Sequence, residues 1–220
     1  MGRPEKVTLF DAFAAVGKAL ANGRRAELID VLAQGERSVE VLAGEVGQSV
    51  ANTSQHLQVL ARAGLVQGRR DGNRVLYRLA GDAVDELWSA VRSVASQHLA
   101  GLDRLATDYL GDRSGIEELP RAELARRLDD GVIVWDVRPP AEFAAGHVPG
   151  AVSVPPRQVR RRVRSVPPDA QVVVYCRGPY CVFADDAVRE LRAKGRHAVR
   201  LEDGFPEWRR AGLPVAVGPG

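Results

Sequence analysis

Cysteine is scarce in this sequence, since its 220 residues include only two, Cys176 and Cys181, and both lie in one short segment. A secreted fold held together by disulfides normally has more cysteines, and they are spread along the chain. The scarcity therefore argues against such a fold. Two neighbouring thiols favour redox or nucleophilic chemistry, and the alternative is a pair of small buried side chains.

Long apolar runs and a secretory signal are lacking as well. No stretch reaches the roughly 18 apolar residues that a membrane-spanning helix needs. The first residues, MGRPEKVTLFDAF, contain charges but not the apolar core of a signal peptide. We therefore expect a cytoplasmic protein with no membrane partner. Its length and its hydrophobic content of 45% suit two globular domains.

Excess charge is also absent from the first half of the chain. Acidic and basic side chains balance over residues 1–111, and the net charge of +3 comes from residues 112–220. A protein with so weak a global field depends on local clusters of basic side chains if it binds DNA.

The best domain boundary lies at the polar, glycine-rich segment 111–115. Before it, apolar residues recur at helical spacing, and a long helix is predicted over residues 82–110. After it, short apolar strands alternate with helices, which indicates a parallel α/β sheet. We predict a multidomain protein with a mostly α-helical domain over residues 1–111, a linker over 112–118 and an α/β domain over 119–220.

The first domain shows the order helix, short turn, helix and basic hairpin, which is a winged helix-turn-helix pattern. Residues 50–63 are the expected recognition helix, with Ser49 as its N-cap, and Asp71-Gly72-Asn73 marks the turn of the hairpin, or wing. We expect polar side chains of the helix and arginines of the wing to contact DNA. The expected DNA-binding residues are Ser49, Asn52, Thr53, Ser54, Gln55, His56, Gln58, Arg69, Arg70 and Arg74. The alternative is an exposed hairpin with surface arginines.

Residues 8–110 resemble the ArsR family of dimeric winged-helix repressors. The block from Asn52 to Leu57 and the block from Ala63 to Val66 match the family core S-x-x-S/T-x-H-L-x-x-L-x-x-A-G-L-V. The resemblance implies a homodimer formed by the first and last helices, which binds a short inverted repeat in double-stranded DNA.

Many members of this family sense metals through cysteines before the recognition helix, or through His and acidic pairs on the last helix. Here residues 39–43 contain no cysteine, and His98 has no second histidine at ligand spacing. We therefore expect no metal site, no cofactor and no sensing thiol within this domain, and a metal bound between subunits by His and carboxylates stays open.

Residues 176–181 follow a predicted strand and precede a predicted helix, so they form a strand-to-helix loop. Backbone N–H groups in such a loop stabilise anionic sulfur, lower the pKa of a thiol and so favour the reactive thiolate. Gly178 permits close backbone approach, and Arg177 is either a nearby cation or a surface residue. The predicted active-site loop consists of the nucleophile Cys176 with Arg177, Gly178, Pro179, Tyr180 and Cys181.

Residues 119–217 resemble single-domain rhodaneses. Residues 136–151 match the signature D-x-R-x-x-x-E-F/Y-x-x-G-H-I/V-P-G-A, and residues 201–208 match the closing G-G-F/W-x-x-W, with Asp203 in place of its first glycine. The resemblance implies that Cys176 takes sulfane sulfur as a persulfide from a donor such as thiosulfate or polysulfide. It also implies that Asp136, Arg138 and His147 support the fold around the loop.

Phosphatase and arsenate-reductase relatives of this fold use a longer loop closed by an arginine. Val182 occupies the corresponding position here, so a single sulfur atom is the favoured substrate. Cys181 stays open between two roles, a small loop-closing residue and a partner that converts an oxidised or persulfidated Cys176 into a disulfide. The five arginines of residues 157–164 stay open among an exposed helix face, anion steering and DNA contact.

These patterns together suggest a transcriptional regulator, a repressor, whose DNA binding responds to sulfur on Cys176. The expected coupling is through packing of the α/β domain against the helix of residues 82–110. One alternative is a sulfurtransferase whose winged domain serves dimerisation or localisation. Another is a repressor whose α/β domain binds a ligand without turnover.

Overall fold

The computed structural model describes residues 3–218, which divide into two compact units with the boundary after Gln97. Each unit has its own buried apolar core. The segment around Arg113 belongs to the second unit. The Arg113 side chain donates a hydrogen bond to Asp185 of the same unit. The domain limits at residues 111 and 119 stay a prediction.

The first unit combines helices with a small antiparallel sheet whose strand order is β1-β3-β2. Its elements are α1 (Arg3–Leu20), α2 (Gly23–Leu32), β1 (Arg37–Ser38), α3 (Val39–Glu45), α4 (Val50–Arg62), β2 (Val66–Asp71), β3 (Arg74–Leu79) and α5 (Asp82–His98), the last of which ends at the boundary.

Polar side chains determine where three of these helices begin. Asn22 Oδ1 accepts hydrogen bonds from the first backbone N–H groups of α2, Ser38 Oγ accepts one from α3, and Ser49 Oγ accepts one from Asn52 N at 3.2 Å. Each bond satisfies an N–H group that has no partner within its helix. The predicted cap of the recognition helix by Ser49 is therefore present.

The prediction of one continuous helix over residues 82–110 is wrong. α5 ends at His98, and a separate helix begins at Leu102. Between them, Gly101 has a φ of +84°, a left-handed conformation that glycine adopts without steric cost and that a continuous right-handed helix cannot contain. The second helix is grouped with the second unit.

The second unit contains a five-stranded parallel sheet of order β4-β8-β7-β5-β6, so the predicted α/β class with a parallel sheet is confirmed. Its elements are α6 (Leu102–Leu110), β4 (Glu118–Leu119), α7 (Arg121–Arg127), β5 (Ile133–Asp136), α8 (Pro140–Ala145), β6 (Val152–Ser153), α9 (Pro156–Arg162), β7 (Gln171–Tyr175), α10 (Val182–Ala193), β8 (His197–Leu201) and α11 (Phe205–Arg210).

The central strand β7 is buried on both faces. Val172 and Val174 belong to the core that includes α9 and α10, while Val173 and Tyr175 belong to the core that includes α7 and α11. Successive side chains of a strand point to opposite faces, so a continuous apolar run suits a strand covered on both sides. The carboxyl end of β7 thus places the next residue, Cys176, at the carboxyl edge of the sheet.

The recognition helix α4 depends on its inward-facing leucines. Leu57 has no exposed surface, whereas its neighbour Gln58 is exposed. We predict that Leu57→Ala lowers the free energy of unfolding by about 2–5 kcal/mol, because it removes buried carbons and leaves a cavity. Gln58→Ala is the matched control and should change the free energy little. Urea unfolding followed by circular dichroism measures both, and equal effects would contradict the burial pattern.

Candidate functional site

The loop Cys176–Cys181 joins the central strand β7 to α10 at the carboxyl edge of the parallel sheet. Cys176 and Cys181 are bonded to each other in a disulfide. Cys176 is only 1% exposed. Of the two roles left open for Cys181, the structure thus contains the arrangement in which it is the partner of Cys176.

The loop is packed directly against the backbone at the start of α11. A Cβ atom at Gly204 would lie 2.2 Å from Gly178 N and 2.5 Å from Gly178 Cα. In addition, Phe205 N donates a hydrogen bond to Cys176 O at 3.1 Å. Glycine at position 204 is therefore required by the close approach of two backbone segments, and that approach blocks one side of the loop.

Arg177 is bound by a buried carboxylate. Its Nε donates to Glu142 Oε1 at 3.0 Å and to Oε2 at 3.2 Å, and Glu142 has no exposed surface. Because a buried carboxylate needs a cation or several donors, this pair attaches the loop to α8. Glu142 was part of the predicted signature but had been given no role.

Asp136, Arg138 and Tyr175 form a second buried network. Arg138 Nη2 donates to Asp136 Oδ2 at 2.6 Å, and Tyr175 Oη donates to the same oxygen at 2.6 Å. Arg138 also lies over the ring of Phe205, at 4.2 Å from its centroid. Burial, together with the Asp136 carboxylate, raises the pKa of Tyr175 well above its ordinary value, so its hydroxyl remains a neutral donor.

His147 packs beside this network. Its ring stacks on Phe143 at a centroid distance of 3.7 Å, and its Nδ1 lies 2.9 Å from Phe143 O. Like Asp136 and Arg138, it contacts backbone and neighbouring side chains. A supporting role for the three residues stays a prediction, and their contacts are of the kind that such a role needs.

A third buried cluster holds the outer side of the loop. Asp185, which has no exposed surface, pairs with Arg113 Nε at 2.6 Å and with Arg200 Nε at 3.1 Å. Arg113 Nη1 donates to Pro179 O at 2.7 Å, and Arg200 Nη2 donates to Gly178 O at 3.2 Å. Burial, and next the charge of Arg113, lower the pKa of Arg200.

Sequence reasoning missed all three members of this cluster. One signal was available, because β8 carries Arg200 between apolar residues in a strand that is covered on both faces. An arginine in such a position requires a buried carboxylate nearby. Which carboxylate pairs with Arg200 could not be read from the neighbouring sequence, since Asp185 lies on α10 and Arg200 lies on β8.

The expected DNA-binding residues separate into distinct groups. Asn52, Gln55 and Gln58 are exposed on α4, and Ser54 and His56 are partly buried there. Ser49 is exposed and acts as the helix cap. Arg70 and Arg74 are exposed on the wing.

Two residues of the expected DNA-binding set have other contacts. Thr53 has no exposed surface, because it shares the inward face of α4 with Leu57 and Leu60, so its expected contact with DNA is corrected to a core position. Arg69 Nε donates to Glu36 Oε1 at 2.8 Å, and this hydrogen bond lowers the pKa of Glu36. Its charge is therefore engaged within the first unit.

The arginine-rich run falls largely on α9. Arg160 is exposed, and its Nε lies 3.5 Å from Glu190 Oε2 of α10.

Within residues 3–218, no cluster of three or more His, Cys, Asp or Glu side chains is arranged to hold a metal ion. Over the same residues, no helix combines the length and the apolar character needed to cross a bilayer.

Two family models match the chain. The model described as "Bacterial regulatory protein, arsR family" matches residues 22–67, and the model described as "Rhodanese-like domain" matches residues 120–211. The chain is 49% identical to the HTH-type transcriptional regulator Rv0324 of Mycobacterium tuberculosis, over 97% of this chain and 94% of the relative. It therefore belongs to the ArsR-type HTH transcriptional regulators, in a form whose second unit is a rhodanese-like domain. Both resemblances found in the sequence are confirmed.

Each half also has its own relatives. The chain is 33% identical to a protein named Sulfurtransferase from Allochromatium vinosum, over 48% of this chain and 99% of the relative. A solved Mycobacterium bovis fragment, described as a homodimeric winged helix-turn-helix DNA-binding domain, is 47% identical with a TM-score of 0.43, covering 45% of this chain and 92% of that one.

The contact between Gly204 and the loop can be tested by adding one methyl group. We predict that Gly204→Ala destabilises the second unit by about 1–3 kcal/mol, because the new Cβ would overlap the backbone of Gly178. It should also raise the rate at which Cys176 is alkylated in the reduced protein. Gly115→Ala is the control, because a Cβ there meets no atom within 4 Å. Equal melting temperatures and alkylation rates for the two variants would contradict the close packing.

Proposed function

We propose that this regulator takes sulfane sulfur on Cys176 and that Cys181 then converts the persulfide into the intraloop disulfide. In this proposal the sulfur status of the loop alters DNA binding. The observation that carries it is the pairing of Cys176 with Cys181, the only cysteines of the chain, within one strand-to-helix loop. The first unit has no thiol of its own with which to sense sulfur.

The chemistry needs no oxidant other than the donor. The Cys176 thiolate attacks the outer sulfur of thiosulfate, or a sulfur atom of a polysulfide, and a new S–S bond forms. The leaving group is sulfite or the shortened polysulfide, which takes the electrons of the broken S–S bond. The Cys181 thiol then attacks Cys176 Sγ. The outer sulfur leaves as hydrosulfide and takes the Cys181 proton, so the cysteines are oxidised while the sulfane sulfur is reduced.

The loop geometry supports an anionic sulfur. The carbonyl oxygens of Gly178, Pro179 and Cys181 are bound by Arg113 and Arg200. In a trans peptide the next N–H points opposite to the carbonyl. The N–H groups of Tyr180 and Val182 are therefore directed away from the arginines, and we assign them to stabilising the thiolate or persulfide.

The first unit supplies the DNA-binding part of the proposal. Asn52, Gln55 and Gln58 form the exposed face of α4 that would contact base edges in the major groove, while Arg70 and Arg74 would contact phosphates. As a repressor, the protein would bind an inverted repeat, each half-site contacted by one copy of α4.

Apolar side chains on α1 support a homodimer. Phe10 is 58% exposed and Phe13 is 62% exposed, and Val7 is exposed beside them. On α5, Val91 and Val94 are exposed too. Exposed apolar side chains that lie together, such as the neighbouring rings of Phe10 and Phe13, mark an interaction site, and a second copy of the chain would bury them by a symmetric contact.

A second candidate function is sulfur transfer as the main activity, with the first unit serving dimerisation or localisation. The similarity of the second unit to a protein named Sulfurtransferase favours it. Substantial turnover of thiosulfate with cyanide, together with no preference for any promoter sequence, would establish this candidate over the regulator with a sulfur switch.

The sulfur switch is tested with wild type, Cys176→Ser and Cys181→Ser. After polysulfide, we expect wild type to lose two hydrogens in intact mass as the disulfide forms. Cys181→Ser should instead gain one sulfur atom, and Cys176→Ser should yield neither product. Affinity for duplex DNA from upstream of the protein's own gene should change about tenfold in wild type, a typical allosteric coupling. It should not change in Cys176→Ser. An unchanged wild-type affinity, or an equal response of Cys176→Ser, would contradict the switch.

The division between base and phosphate contacts is tested with Gln55→Ala and Arg74→Ala. We expect Gln55→Ala to weaken operator binding by about 1–3 kcal/mol while leaving binding to unrelated DNA unchanged. Arg74→Ala should weaken both and reduce the slope of log affinity against log salt by about one. Fluorescence anisotropy at several salt concentrations measures these effects. Loss of operator and unrelated DNA binding to the same degree in Gln55→Ala would contradict base readout.

A further inference from the structure

Arg113 lies in the segment that follows α6, and its guanidinium group reaches the cysteine loop. Nη1 donates to Pro179 O at 2.7 Å, and Nη2 donates to Cys181 O at 3.4 Å. Nε donates to Asp185 Oδ2 at 2.6 Å. One side chain therefore joins the loop, the first turns of α10 and the segment after α6.

α6 also borders the loop through a cavity of about 630 Å³. Asp103, Thr107 and Leu110 of α6 line one part of it, and Pro179 and Tyr180 of the loop line another. Arg113 lies at this cavity as well. A displacement of Pro179 or Tyr180 consequently changes the surroundings of α6 and the hydrogen bonds of Arg113 together.

The inner part of the loop, Cys176–Gly178, is closely packed. Cys176 is buried, and the backbone of Gly204 blocks the side on which Gly178 lies. Two sulfur atoms that are not bonded stand farther apart than bonded ones, and a persulfide adds a further atom. We therefore expect the space to come from Pro179–Cys181, where Arg113 binds.

We propose that Arg113 is the positioning residue that couples the state of the Cys176–Cys181 pair to α6. The proposal rests on the proposed function, in which sulfur chemistry alternates this pair between its disulfide and its reduced or persulfidated forms. In the disulfide form Arg113 binds the carbonyl oxygens of Pro179 and Cys181. When the pair separates, these oxygens leave Arg113, which keeps its bond to Asp185, and the segment after α6 loses its hydrogen bonds to the loop.

One neighbouring arginine and two substitutions of Arg113 provide matched variants for a test. Arg189 Nη2 donates to Asp112 O at 2.9 Å, so it binds the same segment from α10, and its other hydrogen bond is to Asp186 of that helix. Arg113→Lys keeps a positive charge opposite the buried Asp185, but a single ammonium group lacks the planar fork that serves several acceptors at once. Arg113→Gln also removes the positive charge and therefore tests the ion pair between Arg113 and Asp185.

Hydrogen–deuterium exchange of the full-length chain measures the link without DNA. In wild type, reduction of the disulfide should raise exchange in residues 102–112 several-fold. In Arg113→Lys, exchange in the disulfide form should already match that of reduced wild type, and Arg189→Gln should retain the wild-type difference. The proposal is overturned if wild type shows no difference, or if Arg113→Lys shows the full wild-type difference. Should Arg113→Gln unfold, the comparison of wild type with Arg113→Lys still decides between these outcomes.

Operator affinity with and without polysulfide separates this proposal from the function on which it rests. Thiol titration first establishes that Arg113→Lys forms the disulfide. A change in operator affinity of about tenfold in wild type that falls below twofold in Arg113→Lys supports both the switch and the role of Arg113. An equal response in both proteins overturns the role of Arg113 and leaves the switch intact. A third outcome is a wild type whose operator affinity does not respond to polysulfide, while its exchange difference is present and is lost in Arg113→Lys. That outcome overturns the sulfur switch but supports the link between the loop and α6.

Discussion

Burial of carboxylates beside a cysteine loop is the constraint on which the second unit depends. Asp136, Glu142 and Asp185 have no exposed surface, and each is compensated by arginine. A buried charge is tolerated only when paired and hydrogen-bonded, so removing one partner costs several kcal/mol. Because the pairs of Glu142 and Asp185 reach the loop from α8, from β8 and from the segment after α6, the loop is held by three separate parts of the second unit. Its conformation is thereby tied to elements far apart in sequence.

The two units differ in the residues that they offer for binding and for sulfur chemistry. The first unit has an exposed polar helix face, a basic wing and exposed apolar side chains, which suit DNA and a second copy of the chain. It contains neither of the two cysteines. The second unit holds both in a loop whose outer carbonyl oxygens are already bound by arginines. Under the proposed function, the signal and the response would belong to different parts of one chain, and a link between them would begin at the loop.

The sequence predicted features that depend on neighbouring residues. Ser49 caps α4, the hairpin forms around Gly72, and Cys176 follows the central strand, because each depends on local hydrogen bonding or on strand periodicity. Features that depend on distant residues were not predicted. Arg113 was assigned to a linker, and its partner Asp185 lies 72 residues away. The left-handed Gly101 was also missed, since one glycine within an apolar helical pattern is compatible with an uninterrupted helix. Thr53 could have been placed correctly, because it shares helical spacing with two buried leucines.

Cys181 determines which of the two proposed functions the loop serves better. A sulfurtransferase must keep its persulfide until an acceptor arrives, and an internal thiol shortens that lifetime by releasing hydrosulfide. A sensor has the opposite requirement, because its signal must outlast the encounter with the donor. A disulfide meets that requirement, since it persists until another thiol reduces it, and Cys176 is shielded from solvent in this form. Under the proposed chemistry, the second cysteine would make the loop poorer at passing sulfur on and better at recording that sulfur was present, which favours the regulator over the transferase.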